Sequence, residues 1–344
     1  MEKIKETISK VLGETKFQKL KEFYSLITLS PSLIKNYWID AFLYYKHSNV
    51  FKKNTLQKIE ALIILRYHSL EKGLLHNPIR FKFGKETVKI LIKLLEKEEI
   101  IKNRNRSQIS AAYLVLSTYY ELHKENNIDI HDYFPEIIAN QFKNYATIKI
   151  NSVKEHNING YFENCEKDFY NFSNSRSSVR DYTGELINIE EIYKVINLAK
   201  NAPSVCNRQS VKVYYVENKQ IINKILDIQG GLKGYDENIS QLLIVVSDRS
   251  SFFSIGERNQ LYIDGGIFLM NLLYALHFYK IAACPAHWGM NSDKDFELNK
   301  LLSLPDSEKV ISLVSIGVPP NNFKTCLSLR RSSDEILKII GNNI

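Results

Sequence analysis

The sequence predicts an α+β domain in its second half, preceded by an all-helical region, and three patterns carry that expectation. From residue 175 onward, helical stretches alternate with short apolar strands. One of those strands, 242–246 (LLIVV), is a continuous apolar run of the kind a sheet covered on both faces shows. Residues 1–150 hold little Gly or Pro, and their apolar residues recur at helical spacing.

In chain order, the spacing predicts a helix over 55–70 stopped at Gly73, and another over 107–124 ending near Asn126–Asn127. Residues 144–172 turn polar and Asn-rich, and the domain boundary is placed there, near residue 160. This divides the chain into a basic helical accessory domain, 1–160, without catalytic residues, and a second domain, 161–344. In the second domain Asn188 caps a helix, with Glu191 as reciprocal partner and Ile189, Ile192, Val195, Ile196 and Ala199 as inner stripe. Pro203 follows its end. A strand is expected at 211–216, then a short helix at 221–228 broken by Gly230–Gly231. The 242–246 strand comes next, and a long, mostly buried helix at 259–279. A strand at 281–284 should enter a loop at Pro285, and the last strand, 310–318, is closed by Pro319–Pro320.

At 344 residues the chain has length for about two domains, and its 44% hydrophobic content is enough for a sizeable core. The longest apolar stretch, 261–284, is interrupted by Asp264, His277 and Lys280, so a membrane span is not expected. The opening MEKIKETISK is charged and lacks the apolar core of a signal peptide. Cys165, Cys206, Cys284 and Cys326 are widely spaced, as reduced thiols of a cytoplasmic protein would be. Residues 1–160 hold 26 Lys and Arg against 17 Asp and Glu, a net of +9, whereas 161–344 are close to neutral. That excess could attract an acidic partner, but no basic run is interleaved with aromatics as a single-strand nucleic-acid groove requires, so nucleic acid is not an expected partner.

Two motifs carry the chemistry. SRSSVRDY, 175–182, places Arg176, Ser178 and Arg180 on alternate positions, with Ser177 between them. In an extended segment those three side chains share a face, and two guanidiniums with a hydroxyl make an anion clamp. NAPSVCNRQS, 201–210, offers Ser204, Asn207 and Gln209, uncharged groups suited to the edge of a planar heterocycle. A charged surface strand and a polar turn are the plainer readings of the two.

Arg176, Ser178, Arg180 and Tyr182, followed by Ala202, Pro203, Ser204, Asn207 and Gln209, resemble the paired signatures of the nitroreductase-like FMN-dependent oxidoreductases over about residues 165–340. The resemblance implies a central, mostly antiparallel sheet flanked by helices, and a homodimer with shared flavin sites. It implies that the first motif holds the ribityl phosphate, completed by Arg330 and Arg331, and that the loop with Pro203, Ser204, Val205, Asn207 and Gln209 reaches the partner's flavin. Gln260, at the start of the long helix, and Pro285, Ala286, His287 and Trp288 in CPAHWGMN are further cofactor candidates by the same resemblance. His287 is the one possible acid or substrate hydrogen-bond donor. The family's usual Gln-Pro-aromatic reads Gln209-Ser210-Val211 here, which changes the substrate side.

For metal there is only His68 and Glu71, three apart on a helix, which do not make a site. No Gly-rich nucleotide loop is present, so NAD(P)H is expected to act transiently over the flavin. The expected activity is NAD(P)H-driven, ping-pong reduction of a small nitro, quinone or enone acceptor. The alternatives are an FMN-dependent dehydrogenase of a specialised intermediate, or a non-catalytic ligand-binding module.

Overall fold

The strands pair as an antiparallel four-stranded sheet of order β2-β3-β5-β4, made of Val211–Val216, Gln241–Asp248, Ala282–His287 (β4) and Glu308–Gly317 (β5). The coordinates are a computed structural model that describes residues 11, 13–51, 55–146 and 151–341. The charged first ten residues thus lie outside the described residues.

β3 explains why the sheet is central. Its residues are apolar on both sides, and the pleat sends alternate ones to opposite faces. Leu242, Ile244 and Val246 join a core that includes Val179, Tyr182 and residues of the helices Lys219–Gln229 and Ser292–Leu302. Leu243 and Val245 join a second core with residues of the helices Ile189–Ala199 and Gln260–Phe278. The sheet is therefore sandwiched between two helical layers, as the continuous apolar run implied. The observed elements match the α+β expectation: a helical first part, then an antiparallel sheet with helices on both faces.

Three local expectations are corrected. Pro285 lies inside β4, opposite Val314, and does not open a loop. β4 pairs only with β5, and an edge strand tolerates a residue without an N–H. Asn188 does cap its helix, accepting from the Glu190 N–H at 3.0 Å, but Glu191 pairs with Lys194 instead of reaching back. The polar segment around residue 155 contains β1, Val153–Asn157, which pairs antiparallel with β6, Asn322–Cys326.

Among the described residues, Glu14–His47 is followed by the helices Leu56–Gly73, Lys85–Leu95, Glu98–Lys102, Ser107–Glu125 and Glu136–Tyr145, with the expected stop at Gly73. Tyr113, Tyr119, Phe134 and Phe142 are fully buried among them. By compactness the chain forms two units: residues 1–58 with 253–258, and residues 59–252 with 259–344. The residue-160 boundary, a change in sequence character, falls inside the larger unit. Within the smaller unit, Glu14–His47 is a single helix with no buried residue, and Arg258 grips Asp40 through two hydrogen bonds of 2.7 and 3.0 Å. Gln260–Phe278 is long and apolar enough to cross a membrane, but nearly half of it is buried and it runs into β4, as a core helix does.

Candidate functional site

The 176–183 segment runs extended beside one end of the sheet. The Val179 N–H donates to the Ala283 carbonyl at 3.0 Å, and the Thr183 N–H to the Val318 carbonyl at 2.9 Å. Tyr182 anchors it: its hydroxyl donates to the Val179 carbonyl at 2.7 Å and meets Ser315 of β5. Gly317 makes room for this ring, because a Cβ there would lie 2.8 Å from it. Arg176 and Arg180 are thereby held half-buried on either side of Val179. Arg176 Nη1 is buried and has no hydrogen-bond partner, and Arg180 reaches only the Cys326 thiol, at 3.9 Å. Both guanidiniums act on the fully buried Cys284, whose thiol pKa burial pushes up and their charge pulls back down. Neither has a carboxylate partner among the described residues.

His277, near the end of the 260–278 helix, closes this corner. Its Nε2 hydrogen-bonds the Ser175 hydroxyl at 2.8 Å. Burial first, and Arg176 second, lower its pKa to about 4, so it is neutral near pH 7.

The 201–210 loop is built differently: its amides and hydroxyls are tied to one buried acid, and its one cation, Arg208, lies over the Phe252 ring, 5.4 Å from its centroid. Asp264, 2% exposed on the 260–278 helix, accepts the Val205 N–H at 3.3 Å and the Gln260 amide at 2.8 Å. The Ser204 hydroxyl accepts the Gln209 N–H at 3.0 Å, and the Gln209 amide donates to Asn207 Oδ1 at 3.2 Å. Cys206, Asn207 and Gln209 take positive φ of 48°, 55° and 52°. Such backbone is costly for non-glycine residues and clusters at functional loops. Asn207 and Gln209 remain exposed, and so does Pro203.

The two motifs do not meet within one chain. The loop leads into Val211, opposite Ser247 at one end of the sheet, while Arg180 lies beside Ala283 and Gly317 at the other end. Asp264 touches the loop and His277 the clamp, thirteen residues later on one helix, which is about 20 Å.

The other predicted site residues are scattered. Pro285 and Ala286 lie within β4 and His287 ends it, exposed. Trp288 is a core residue, 5% exposed, whose Nε1–H donates to Asp295 at 2.7 Å. Arg330 is exposed and donates to the Ser328 carbonyl at 2.8 Å. Arg331 is already occupied: it bridges Glu60 at 3.1 Å and Glu335 at 2.9 Å, and Arg106 grips Glu60 from the other side. Glu60 is 1% exposed, so helices of the first half fix the segment that carries the basic pair.

Asp264 and His277 escaped the sequence reading. Their one signal was that they interrupt an otherwise apolar helix. The structure also adds Cys326 to His68 and Glu71, with ligand atoms all within 4.8 Å. Metal binding needs the thiolate, but burial pushes the Cys326 thiol up to about 12, and Arg180 stands 3.9 Å away. This corner suits an anion better than a cation.

Residues 174–235, which span both motifs, match the nitroreductase family model. The first half of the chain is outside the match. Among solved structures, a protein of Desulfovibrio desulfuricans described as a nitroreductase in complex with FMN is 20% identical, with a TM-score of 0.43, over 51% of this chain and 98% of that one. A protein of Clostridium acetobutylicum described as an NADH oxidase is 19% identical, with a TM-score of 0.43, over 49% and 98%. A nitroreductase family protein of Clostridium novyi is 21% identical, with a TM-score of 0.39, over 45% and 86%. No curated protein matches the chain.

Proposed function

We propose that this protein is a homodimeric FMN-dependent oxidoreductase that takes electrons from NAD(P)H and passes them, by alternating turnover, to a small nitro, quinone or enone acceptor. The observation that carries the reading is the pair Arg176 and Arg180, half-buried guanidiniums without a carboxylate, one with an orphaned buried nitrogen. Desolvated cations are costly unless an anion answers them, and a phosphate offers oxygens matched to the guanidinium fork. Ser178, between them on the same segment, adds a hydroxyl. Arg330, whose one hydrogen bond among the described residues is to a backbone carbonyl, can turn toward the same phosphate, whereas Arg331 positions the segment through Glu60.

When bound, FMN supplies the hydride and electron transfer. The chain's own residues bind and orient it. The amides of Asn207 and Gln209 are exposed and bonded to each other, so they can exchange that bond for one to a carbonyl or ring nitrogen of the flavin edge. Gln260, held by Asp264, faces the same loop. An amide donor there stabilises negative charge developing on a reduced ring. His287 is exposed and free to donate to substrate, with Pro285 and Ala286 setting the strand behind it.

Dimerisation is supported by the 20 Å between clamp and loop. Two chains related by a twofold axis could bring the clamp of one to the loop of the other. The 260–278 helix offers a matching surface, since Ile263, Ile267 and Met270 form an exposed apolar stripe between the two ends. The test is the absorption spectrum of the purified protein. A flavin band bleached by NADPH under anaerobic conditions is expected. A colourless protein that takes up no FMN would remove the reading, and a flavin that NADPH and NADH leave oxidised would favour the dehydrogenase alternative.

A further inference from the structure

We propose that Lys72, on the helix 56–73 of the basic half, is a third cation of the Arg176–Arg180 site and binds the cofactor's phosphate. This rests on the FMN reading above and extends it to a part of the chain outside the family match.

The end of the 56–73 helix is fixed against the clamp from several sides. The Lys72 carbonyl accepts the Tyr235 hydroxyl at 2.5 Å. Leu74 and Leu75, just beyond, are buried in one cluster with Val153 and Cys326. Gly73 lies so close to Phe83 that a Cβ would come within 2.2 Å of its ring. On the preceding turn, the Glu71 carboxylate is within 4.8 Å of the Cys326 sulfur, and that sulfur is 3.9 Å from Arg180. The helix end and the clamp therefore share one buried wall, made by Cys326 and Cys284.

The charges on that wall do not balance. Lys72, Arg180 and Arg176 all act on the Cys284 thiol, and Lys72 and Arg180 both act on Cys326. Lys72 has no ion pair or hydrogen bond from its ammonium among the described residues. Its neighbour in sequence, Glu71, is 2% exposed and is hydrogen-bonded to His68 at 2.8 Å. Asp181 follows Arg180, but burial alone raises its pKa, with no cation lowering it. The other polar groups facing the wall are the thiols and the Tyr235 hydroxyl, which carry no charge near pH 7. Three cations thus act on a corner that holds two acids, the engaged Glu71 and the half-buried Asp181 that acts on the Tyr235 hydroxyl. A phosphate dianion supplies the missing charge, and the compact ammonium of a lysine is well suited to one.

The test is titration of full-length apoprotein with FMN and, separately, with riboflavin, which lacks the phosphate. Lys72→Met, Lys72→Arg and Arg180→Ala are compared with the parent chain. We expect Lys72→Met to weaken FMN about tenfold or more, the effect of one lost charge-assisted hydrogen bond, and to leave riboflavin unchanged. Lys72→Arg should restore most of the loss. The thermal midpoint of Lys72→Met should hold, because the backbone carbonyl and not the side chain anchors Tyr235. If Arg180→Ala loses FMN and Lys72→Met does not, Lys72 is outside the site and the FMN reading stands without it. If Lys72→Met weakens FMN and riboflavin equally, the lysine acts elsewhere and the inference fails. If neither variant changes FMN affinity, the clamp itself is wrong.

Discussion

The two ends of the sheet are built on opposite electrostatic plans. At the clamp end, Arg176 and Arg180 are half-buried without an acid, beside a neutral His277 and two protonated thiols. At the loop end, exposed amides predominate, the one cation of the loop, Arg208, lies over the Phe252 ring, and the buried acid Asp264 is spent on the loop's own backbone and on Gln260. One end holds two guanidiniums with no carboxylate partner among the described residues, and the other exposes two amides, those of Asn207 and Gln209. A ligand with an anionic tail and a neutral planar head would satisfy both, but in one chain they lie about 20 Å apart along a shared helix.

The strongest way to break the contrast is to remove the support behind the clamp end. Glu60→Ala leaves Arg106 and Arg331 without their shared carboxylate and should cost about 3 kcal/mol, read by chemical denaturation. A comparable effect, spread over a pH window, comes from His277. Its pKa is about 4 in the folded chain against about 6.5 unfolded. Above pH 6.5 both states are neutral and the group contributes nothing. Between pH 6.5 and 4 only the unfolded chain takes up the proton, so stability should fall by about 3 kcal/mol across that window and level off below it. His277→Gln should flatten that slope.

Arg180→Ala probes the missing anion directly. FMN affinity should drop about ten- to a hundredfold with the fold intact, measured by fluorescence quenching. The mildest test is at the loop end, where Asp264→Asn keeps an acceptor but loses the charge. It should cost about 1 kcal/mol of stability and loosen the 204–209 loop, seen as faster amide exchange at Val205. An equal loss of FMN affinity in the Asp264 and Arg180 variants would erase the distinction between the ends.

Much of this was legible before any coordinates. The alternation of Arg176, Ser178 and Arg180, the apolar run of β3 and the helix stop at Gly73 are local signals, and each is set by neighbours in sequence. What stayed hidden depends on distant pairing. Pro285 ends a strand by local rules, and only its place on a sheet edge lets it sit within β4. β1 reads as a polar linker, because it owes its pairing to residues 322–326. Asp264 and His277 look like interruptions of an apolar helix until the loop and the clamp are seen to meet them. The approach of Glu71 to Cys326, and of Cys326 to Arg180, spans more than a hundred residues at each step, and no periodicity within the 56–73 helix encodes it.

The central claim is that each flavin site joins the clamp of one chain to the loop of another, and FMN stoichiometry in mixed dimers tests it most directly. Arg180→Ala chains and chains with both Asn207→Ala and Gln209→Ala would be coexpressed with different tags, and the mixed species isolated. Shared sites place both defects in one site and leave the other native, so one tightly held FMN per mixed dimer is expected, while each parent variant retains almost none. Mixed dimers as empty as the parents would mean that every chain builds its site alone, and would contradict the account.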